Sequence, residues 1–173
     1  MPQQTPNLFT YPRNEPGTVG HFDLVEALRA FSANLSAAVG GITEAEAAFR
    51  SAPDGWCARE IVGHLRDAAE VYHKRVYMMS TQTDPILEPY DQEAWATEHE
   101  YMTRDIDAMV RELAAWRTDT VDLLTTLVNW NWARTGQHLE RGRTSIRQIV
   151  EHMVQHETDH LHDIRTLRAA ASA

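Results

Sequence analysis

The sequence predicts an all-α protein that folds as a four-helix bundle, and three observations support this fold class. Four long stretches carry apolar residues three and four positions apart, which is the spacing that lines one face of a helix. Turn-forming proline and glycine residues separate these stretches. No stretch shows the sustained alternation of apolar and polar residues that is typical of a half-buried strand, so we predict no strand. Four amphipathic helices on one chain of 173 residues can bury their apolar faces against one another as a bundle.

The first predicted helix follows a segment that has the composition of an irregular arm. Residues 1–17 contain four of the seven prolines, and we predict that the bundle domain occupies residues 18–170. The first long helix is expected over about residues 18–39, where the glycine pair 40–41 ends it. A short connecting helix is expected over residues 44–49.

The middle of the chain is predicted to hold two further helical stretches joined by a crossing loop. The second long helix is expected to begin near Trp56, directly after the turn residues 53–55. Residues 81–91 contain two prolines and are predicted to form an ordered crossing loop. The third stretch, residues 92–128, is long for a globular helix, so we expect a kink or a break within it.

The last long helix is predicted to follow a second long loop. Residues 129–143 contain two tryptophans and two glycines, which is typical of irregular structure. Thr144 or Ser145 is suited to be the N-cap, because a side-chain hydroxyl can accept a hydrogen bond from a free N–H group of the first turn.

Composition and charge exclude several classes of protein. The chain has 16 Lys and Arg against 25 Asp and Glu, a net charge of −9, which argues against binding to nucleic acid or to anionic lipid. The single cysteine, Cys57, excludes an intrachain disulfide and any multi-cysteine metal site. No apolar run approaches the ~20 residues that a membrane helix needs, and no signal-peptide core precedes the bundle, so we expect a cytoplasmic protein.

Histidines on the predicted inner faces are the strongest sign of chemistry. At about 100° per residue, His160 falls within the apolar stripe of the fourth helix, and His156 lies on the same face one turn earlier. His152 is expected near the edge of that face, and His64 flanks the stripe of the second helix. Two helices can therefore offer three imidazoles to one metal ion, although an inward histidine is more commonly a hydrogen-bonded core residue.

Other polar residues have a functional and a structural interpretation, and the sequence leaves both open. Arg75 and Tyr90 are candidate substrate-binding residues, with an ordinary salt bridge as the alternative for the arginine. Glu157 is a candidate general base or a support for the neighbouring histidines, unless it is a simple surface carboxylate. His138 can be a proton shuttle or a loop residue, and Cys57 a reactive thiol or a small buried hydrophobe.

Three stretches resemble the DinB/YfiT-like family: GWCAREIVGHLRDAAEVYHKRV at 55–76, DPILEPYDQEAW at 84–95, and TGQHLERGRTSIRQIVEHMVQHETDHLHDI at 135–164. The resemblance implies an up-down-down-up bundle that pairs as a homodimer and holds a divalent metal with three histidines. These map onto His64, His156 and His160. Imidazole suits several ions, and we expect zinc or nickel, with iron or manganese as alternatives. The chain departs from the common family pattern at Asp163, where relatives more often carry Gln or His.

The resemblance also implies a reaction. Characterised relatives use low-molecular-weight thiols of the bacillithiol or mycothiol type, so we expect a metal-dependent S-transferase that joins such a thiol to a small electrophilic substrate. A metal-dependent hydrolase is the first alternative, because the same open site can ionise water. A non-catalytic bundle that binds a metal or a ligand and dimerises is the second.

Overall fold

The computed structural model describes residues 19–172, so the predicted arm at 1–17 lies outside the described residues. Six helices, three short strands and two 3₁₀ turns make up the described chain. In order they are α1 (His21–Val39), α2 (Glu44–Ala48), α3 (Ala58–Thr81), β1 (Ile86–Leu87), α4 (Gln92–Glu98), a 3₁₀ turn (Tyr101–Thr103), α5 (Ile106–Thr126), a 3₁₀ turn (Asn129–Ala133), β2 (Thr135–His138), β3 (Gly142–Ser145) and α6 (Ile146–Ala171).

The long helices α1, α3, α5 and α6 form the predicted four-helix bundle. Hydrogen bonds at the two ends show that α1 and α6 run in the same direction. At one end Arg147 donates to the carbonyl of Val19, and at the other Arg168 donates to the carbonyls of Ala38 and Gly40. Helix α3 runs the opposite way, because its last turn accepts a hydrogen bond at the Met79 carbonyl from a side chain that lies shortly before α6.

The core shows that α5 runs parallel to α3. One cluster of buried apolar side chains joins the first halves of α3 and α5 to the second halves of α1 and α6. A second cluster joins the opposite halves of the same four helices. The directions of α1, α3, α5 and α6 along the bundle are therefore up, down, down and up, as the family resemblance implies. Two parallel helices that follow one another in sequence need a long connection, and residues 82–105 provide it.

Local chemistry explains where the helices begin and break. Ser145 is the N-cap of α6, as predicted, and its hydroxyl accepts a hydrogen bond from the Gln148 N–H. The expected break in the third stretch is confirmed: α4 ends at Glu98, Glu100 has a positive φ of 50°, and Asp105 caps a new helix. Helix α1 begins at His21, later than the predicted start, because Gly20 has an extended backbone and is the N-cap; residue 18 lies outside the described residues.

The prediction that the chain has no strand was wrong. Strand β1 pairs parallel with β2, Ile86 opposite Gln137, and β2 pairs antiparallel with β3, Thr135 opposite Ser145. The strands have two to four residues, which is too short for a period-two pattern to be recognised. This small sheet closes the end of the bundle where α3 stops and α6 starts. None of the described helices has the length and apolarity needed to cross a bilayer.

Candidate metal centre

Three histidines from two antiparallel helices meet near the middle of the bundle. His64 lies on α3, while His156 and His160 lie one turn apart on α6. One ring nitrogen of each lies within 4.8 Å of the others. The ring centroids are 4.9 Å apart for His64 and His156, 5.2 Å for His64 and His160, and 4.5 Å for the pair on α6. The structure thus brings together the three rings that the helical period placed on inner faces.

Burial keeps two of these rings uncharged. His64 is only 2% exposed, and desolvation lowers its pKa to about 4. Desolvation also lowers the pKa of His156, to about 3, and the neighbouring rings of His64 and His160 act in the same direction. Both imidazoles are neutral at pH 7, and the neutral ring is the form that binds a metal.

The donor set fits one divalent ion. The Nε2 atoms of His64 and His156 face each other at 2.9 Å, where one must donate a proton unless a cation takes both lone pairs. Two nitrogens that each lie ~2.0–2.1 Å from a tetrahedral zinc would be separated by about 3.4 Å. Small rotations of the two side chains, which move each Nε2 atom by a few tenths of an ångström, reach that spacing. The three residues therefore suit an ion such as zinc or nickel.

Only one of the three rings has a protein partner for its outer nitrogen. His160 donates from Nδ1 to the Asp163 carboxylate at 3.2 Å, which fixes the ring and leaves Nε2 free to bind an ion. The Nδ1 atoms of His64 and His156 are buried without a partner among the described residues. Asp163 is also the position at which the family resemblance implies a departure from the common pattern. The departure therefore falls on a residue that contacts a candidate ligand.

A cavity of about 620 Å³ opens onto the three histidines. Its wall includes Trp56, Ile61 and Asp163, together with residues of the loop before α3 and the last turns of α6. The Trp56 ring meets His64 edge-on at a centroid distance of 5.2 Å. A small molecule can therefore reach the histidines from solvent, and an ion held there would keep a coordination position open towards the cavity.

A buried carboxylate anchors the crossing segment beside the site. Asp67 lies one turn after His64 on α3 and is fully buried. It accepts hydrogen bonds from the Tyr101 hydroxyl, from His99 Nδ1 at 2.5 Å and from Arg66 at 2.7 Å. These contacts hold the segment that follows α4 against α3. Trp95 on α4 packs between the rings of His99 and Tyr90, so the same anchor supports an aromatic wall that reaches His64.

The remaining predicted residues fall into two groups. The Tyr90 ring lies 6.5 Å from the His64 ring and so borders the site. Arg75 is buried about three turns after His64 on α3 and donates to the Glu88 carbonyl. Glu157 is instead buried in an ion pair with Arg117, which faces it from α5. His138 accepts hydrogen bonds at Nδ1 from two backbone N–H groups of the β2–β3 turn, which is a structural contact. The catalytic roles suggested for Glu157 and His138 stay hypotheses without a contact in their favour.

Burial decides the role of Cys57, and the ring distances place His152. Cys57 is fully buried at the start of α3, and desolvation raises its pKa, so it is a small buried side chain rather than a reactive thiol. His152 lies at the edge of the inner face, as expected, with its ring 5.8 Å from that of His156. It is not one of the three converging ligands.

Sequence reasoning missed several residues that shape the site. Trp56 marked a helix start and belonged to the stretch that resembles the family, but it was not expected to line the cavity. Asp67 and His99 received no functional interpretation. The apolar spacing gave no signal for Asp67, because this residue lies more than about 90° away from the apolar stripe of the second helix. Nothing in the sequence indicated that its partners come from residues 99 and 101.

Comparisons with known proteins agree with the expected family and fold. The DinB superfamily model matches residues 27–164. A protein of Oceanobacillus iheyensis named "Putative metal-dependent hydrolase" is 28% identical over 113 residues, 65% of each chain. One of Bacillus mycoides with the same kind of name is 27% identical over 114 residues, 66% of this chain and 65% of the relative. The alignments thus span about two thirds of these relatives' length.

A solved structure shows the same fold. YfiT from Bacillus subtilis, described as a probable metal-dependent hydrolase with an unusual four-helix bundle topology, superposes with a TM-score of 0.83. The match covers 91% of this chain and 90% of that one, at 23% sequence identity. The up-down-down-up order and the family match, which extends from α1 to the last turns of α6, lead to one assignment: this chain belongs to the DinB superfamily.

Proposed function

We propose that this chain is a metal-dependent enzyme in which His64, His156 and His160 hold one divalent ion at the wall of a cavity. The observation that carries the proposal is the convergence of three imidazole nitrogens within 4.8 Å, two of them on rings kept neutral by burial. A purely structural histidine cluster has no need of an open cavity beside it. The names of the relatives support metal dependence as well.

The reaction we propose is transfer of a low-molecular-weight thiol to a small electrophile. A divalent ion bound by three neutral imidazoles keeps its full charge and an open position, so it would stabilise the thiolate form of a thiol at neutral pH. In the transfer the thiol loses its proton to solvent and its sulfur forms a bond to the electrophilic carbon. The electrons of the broken bond leave with the displaced group, such as chloride, or remain on the epoxide oxygen, which then takes up a proton. The protein's own cysteine is sealed in the core, so the thiol has to be supplied from outside.

The chain's residues position this chemistry. Asp163 holds the His160 ring by accepting its Nδ1–H, and the Trp56 ring packs edge-on against the His64 ring. The 620 Å³ cavity is large enough for two small organic molecules side by side. Pairing of two chains stays a prediction from the family resemblance.

Hydrolysis is the second candidate, and the names of the relatives favour it. The same residues would then serve a water molecule instead of a thiol. The two reactions differ in whether the rate depends on an added thiol. Transfer requires the thiol, whereas hydrolysis proceeds at the same rate without it.

Metal analysis of untagged protein tests the proposal. We expect about one equivalent of a divalent transition metal after reconstitution, loss of that metal in His160→Ala, and full retention in His162→Ala. His162 is the matched control because it is an exposed histidine on the same helix. Less than about a tenth of an equivalent in the parent protein, or equal retention in both variants, would overturn the ligand assignment.

An activity assay then separates the reactions. A chloro-aromatic compound and an epoxide are offered with a panel of cellular thiols. Product formation that rises with thiol concentration supports transfer, and product formation independent of thiol supports hydrolysis. A metal-loaded protein that turns over neither substrate class under any condition would instead favour the non-catalytic bundle.

A further inference from the structure

Beside the histidines lies a cluster of cationic and hydroxyl groups that the proposed chemistry does not use. It consists of Arg75 and Tyr72 on α3, Tyr90 in the crossing segment, and Arg141 in the β2–β3 turn. The Tyr72 ring lies 6.2 Å from that of His156, and the Tyr90 ring lies 6.5 Å from that of His64. The cluster therefore borders two of the three candidate ligands directly.

Arg75 differs from the other buried arginines of the described chain. Arg59 and Arg117 are also buried, and each pairs with a carboxylate, Glu44 and Glu157 respectively. Arg75 is 9% exposed and has no carboxylate within ion-pair distance among residues 19–172. Its one hydrogen bond goes from Nη2 to the Glu88 carbonyl at 2.6 Å. Burial of a guanidinium without an anionic partner costs desolvation free energy, and a bound anion would offset that cost.

A second arginine adds positive charge to the same place. Arg141 contacts His152 Nε2 at 3.2 Å, and within the described chain it likewise has no carboxylate within ion-pair distance. Burial lowers the pKa of Arg75, and repulsion from Arg141 acts in the same direction, while the two tyrosines and the Glu140 carboxylate, which lies beyond ion-pair distance, act in the opposite direction. Two unpaired guanidiniums that repel each other stand in a chain whose net charge is −9.

The cluster also offers neutral donors, and it is not sealed. The hydroxyls of Tyr72 and Tyr90 donate to no described residue, and Nε and Nη1 of Arg75 have no partner either. None of these atoms is among the polar atoms of the described chain that are both shut off from solvent and unpaired. A ligand group can therefore reach them. A planar carboxylate matches this arrangement, because it accepts paired hydrogen bonds from a guanidinium and further ones from hydroxyls.

We propose that Arg75, with Arg141 and the hydroxyls of Tyr72 and Tyr90, binds a carboxylate carried by the molecule whose reacting end sits at the three histidines. The inference rests on the proposed function for the reacting end and adds the substrate class: an organic acid rather than a neutral molecule. The geometry gives Arg75 the central position, since it is the buried one of the two arginines, and makes the exposed Arg141 an outer contributor.

Thiol probes with and without a carboxylate test this on the cobalt-loaded protein. The probes are ω-mercaptocarboxylates of two to six carbons and their primary amides, and binding is followed by the absorption band of a cobalt–thiolate bond. At one chain length or more, we expect the acid to bind at least about tenfold more tightly than the amide, as charge-assisted hydrogen bonds imply. In Arg75→Gln the ratio of acid affinity to amide affinity should fall to near one. In Arg141→Gln this ratio should fall to a value between one and that of the parent protein.

The controls keep each outcome decisive. Arg29→Gln, an exposed arginine on α1 paired only with Glu26, should leave the ratio unchanged. Arg141 is exposed, so its variant tests the idea even if the buried Arg75→Gln fails to fold. Equal binding of acid and amide by the parent protein at every length, or a ratio that survives both variants, overturns the proposal.

Failure of the metal site can be distinguished from failure of this inference. If the protein binds no cobalt, the proposed function is wrong, and hexanoate is compared with hexanamide by calorimetry on the metal-free protein. A preference for hexanoate that Arg75→Gln abolishes would still support the carboxylate site. Absence of that preference would overturn it.

Discussion

Gly63 is the residue whose replacement best tests how the fold supports the site. It directly precedes His64 on α3, and its missing side chain leaves room for the Tyr101 ring. A Cβ added at position 63 would lie 2.5 Å from Cγ and Cδ1 of that ring and 2.9 Å from Cδ2. Ordinary contacts begin at 3.4 Å, so Gly63→Ala forces the ring and the helix apart by about 0.9 Å.

The cost of this displacement can be worked out from the surroundings of Tyr101. The ring is fully buried, and its hydroxyl donates to Asp67, so it cannot move without disturbing the core and that hydrogen bond. Overpacking of this kind costs about 1–3 kcal/mol, and the contact distances point to the upper end. Alanine is favoured over glycine within a helix by about 1 kcal/mol. We therefore expect Gly63→Ala to lower the free energy of unfolding by roughly 2 kcal/mol.

Urea unfolding of the metal-free protein measures the effect, and a second background isolates its cause. In Tyr101→Leu the rigid ring is gone, and a flexible side chain can step aside from the new methyl group. There Gly63→Ala should be neutral or stabilising by up to about 1 kcal/mol, because only the helix preference remains. If Gly63→Ala raises the stability of the parent protein, or costs the same in both backgrounds, the steric reasoning is refuted.

Three further predictions concern buried ionisable groups. The pKa values of His64 and His156 are lowered from 6.5 to about 4 and about 3, so the unfolded chain binds more protons than the folded one below pH 6.5. Stability of the metal-free protein should thus fall by roughly 2 kcal/mol per histidine from pH 7 to pH 5, and a flat denaturation profile would contradict this. Glu157→Gln leaves Arg117 as an unpaired buried charge and should cost about 3–5 kcal/mol in urea unfolding, most of it recovered when Arg117→Met is added. The Cys57 thiol is buried and its pKa is raised, so a disulfide reagent should label it only after unfolding; rapid labelling of the native protein would show that the core is open there.

The long helices could be predicted because their apolar spacing reports directly on which face is buried. The break near residue 100 could be predicted from length alone, but its position depends on Glu100, whose positive φ leaves no trace in the apolar pattern. The small sheet escaped prediction for a different reason. Strand β1 has two residues, and it gains its hydrogen bonds from a partner about 50 residues later in the chain, which a local pattern does not contain.

The residues of the candidate site likewise include some whose positions the sequence could predict and some whose positions it could not. His156 and His160 lie on one helix face by sequence spacing, so their proximity follows from the helix geometry itself. Placing His64 against them required the bundle to be antiparallel at that contact, which the family resemblance implied and the end contacts of α3 and α6 establish. The hydrogen bond from Tyr101 to Asp67 joins the crossing segment to α3. It could not be predicted, because the spacing of apolar residues gives no information about the path of an irregular segment.

Asp163 shows how one side chain can alter the chemistry of a site. A glutamine at that position can also accept a hydrogen bond from an imidazole, but it carries no charge. The aspartate here accepts the His160 Nδ1–H and adds a negative charge next to the ligand set. A divalent ion held by three neutral imidazoles would carry a net charge of +1 together with this carboxylate, whereas the same site with glutamine would carry +2. The carboxylate would make His160 a more basic ligand and would reduce the positive field over an open coordination position. The unpaired arginines on the other side of the histidines supply positive charge for an anionic ligand from the protein instead of from the ion.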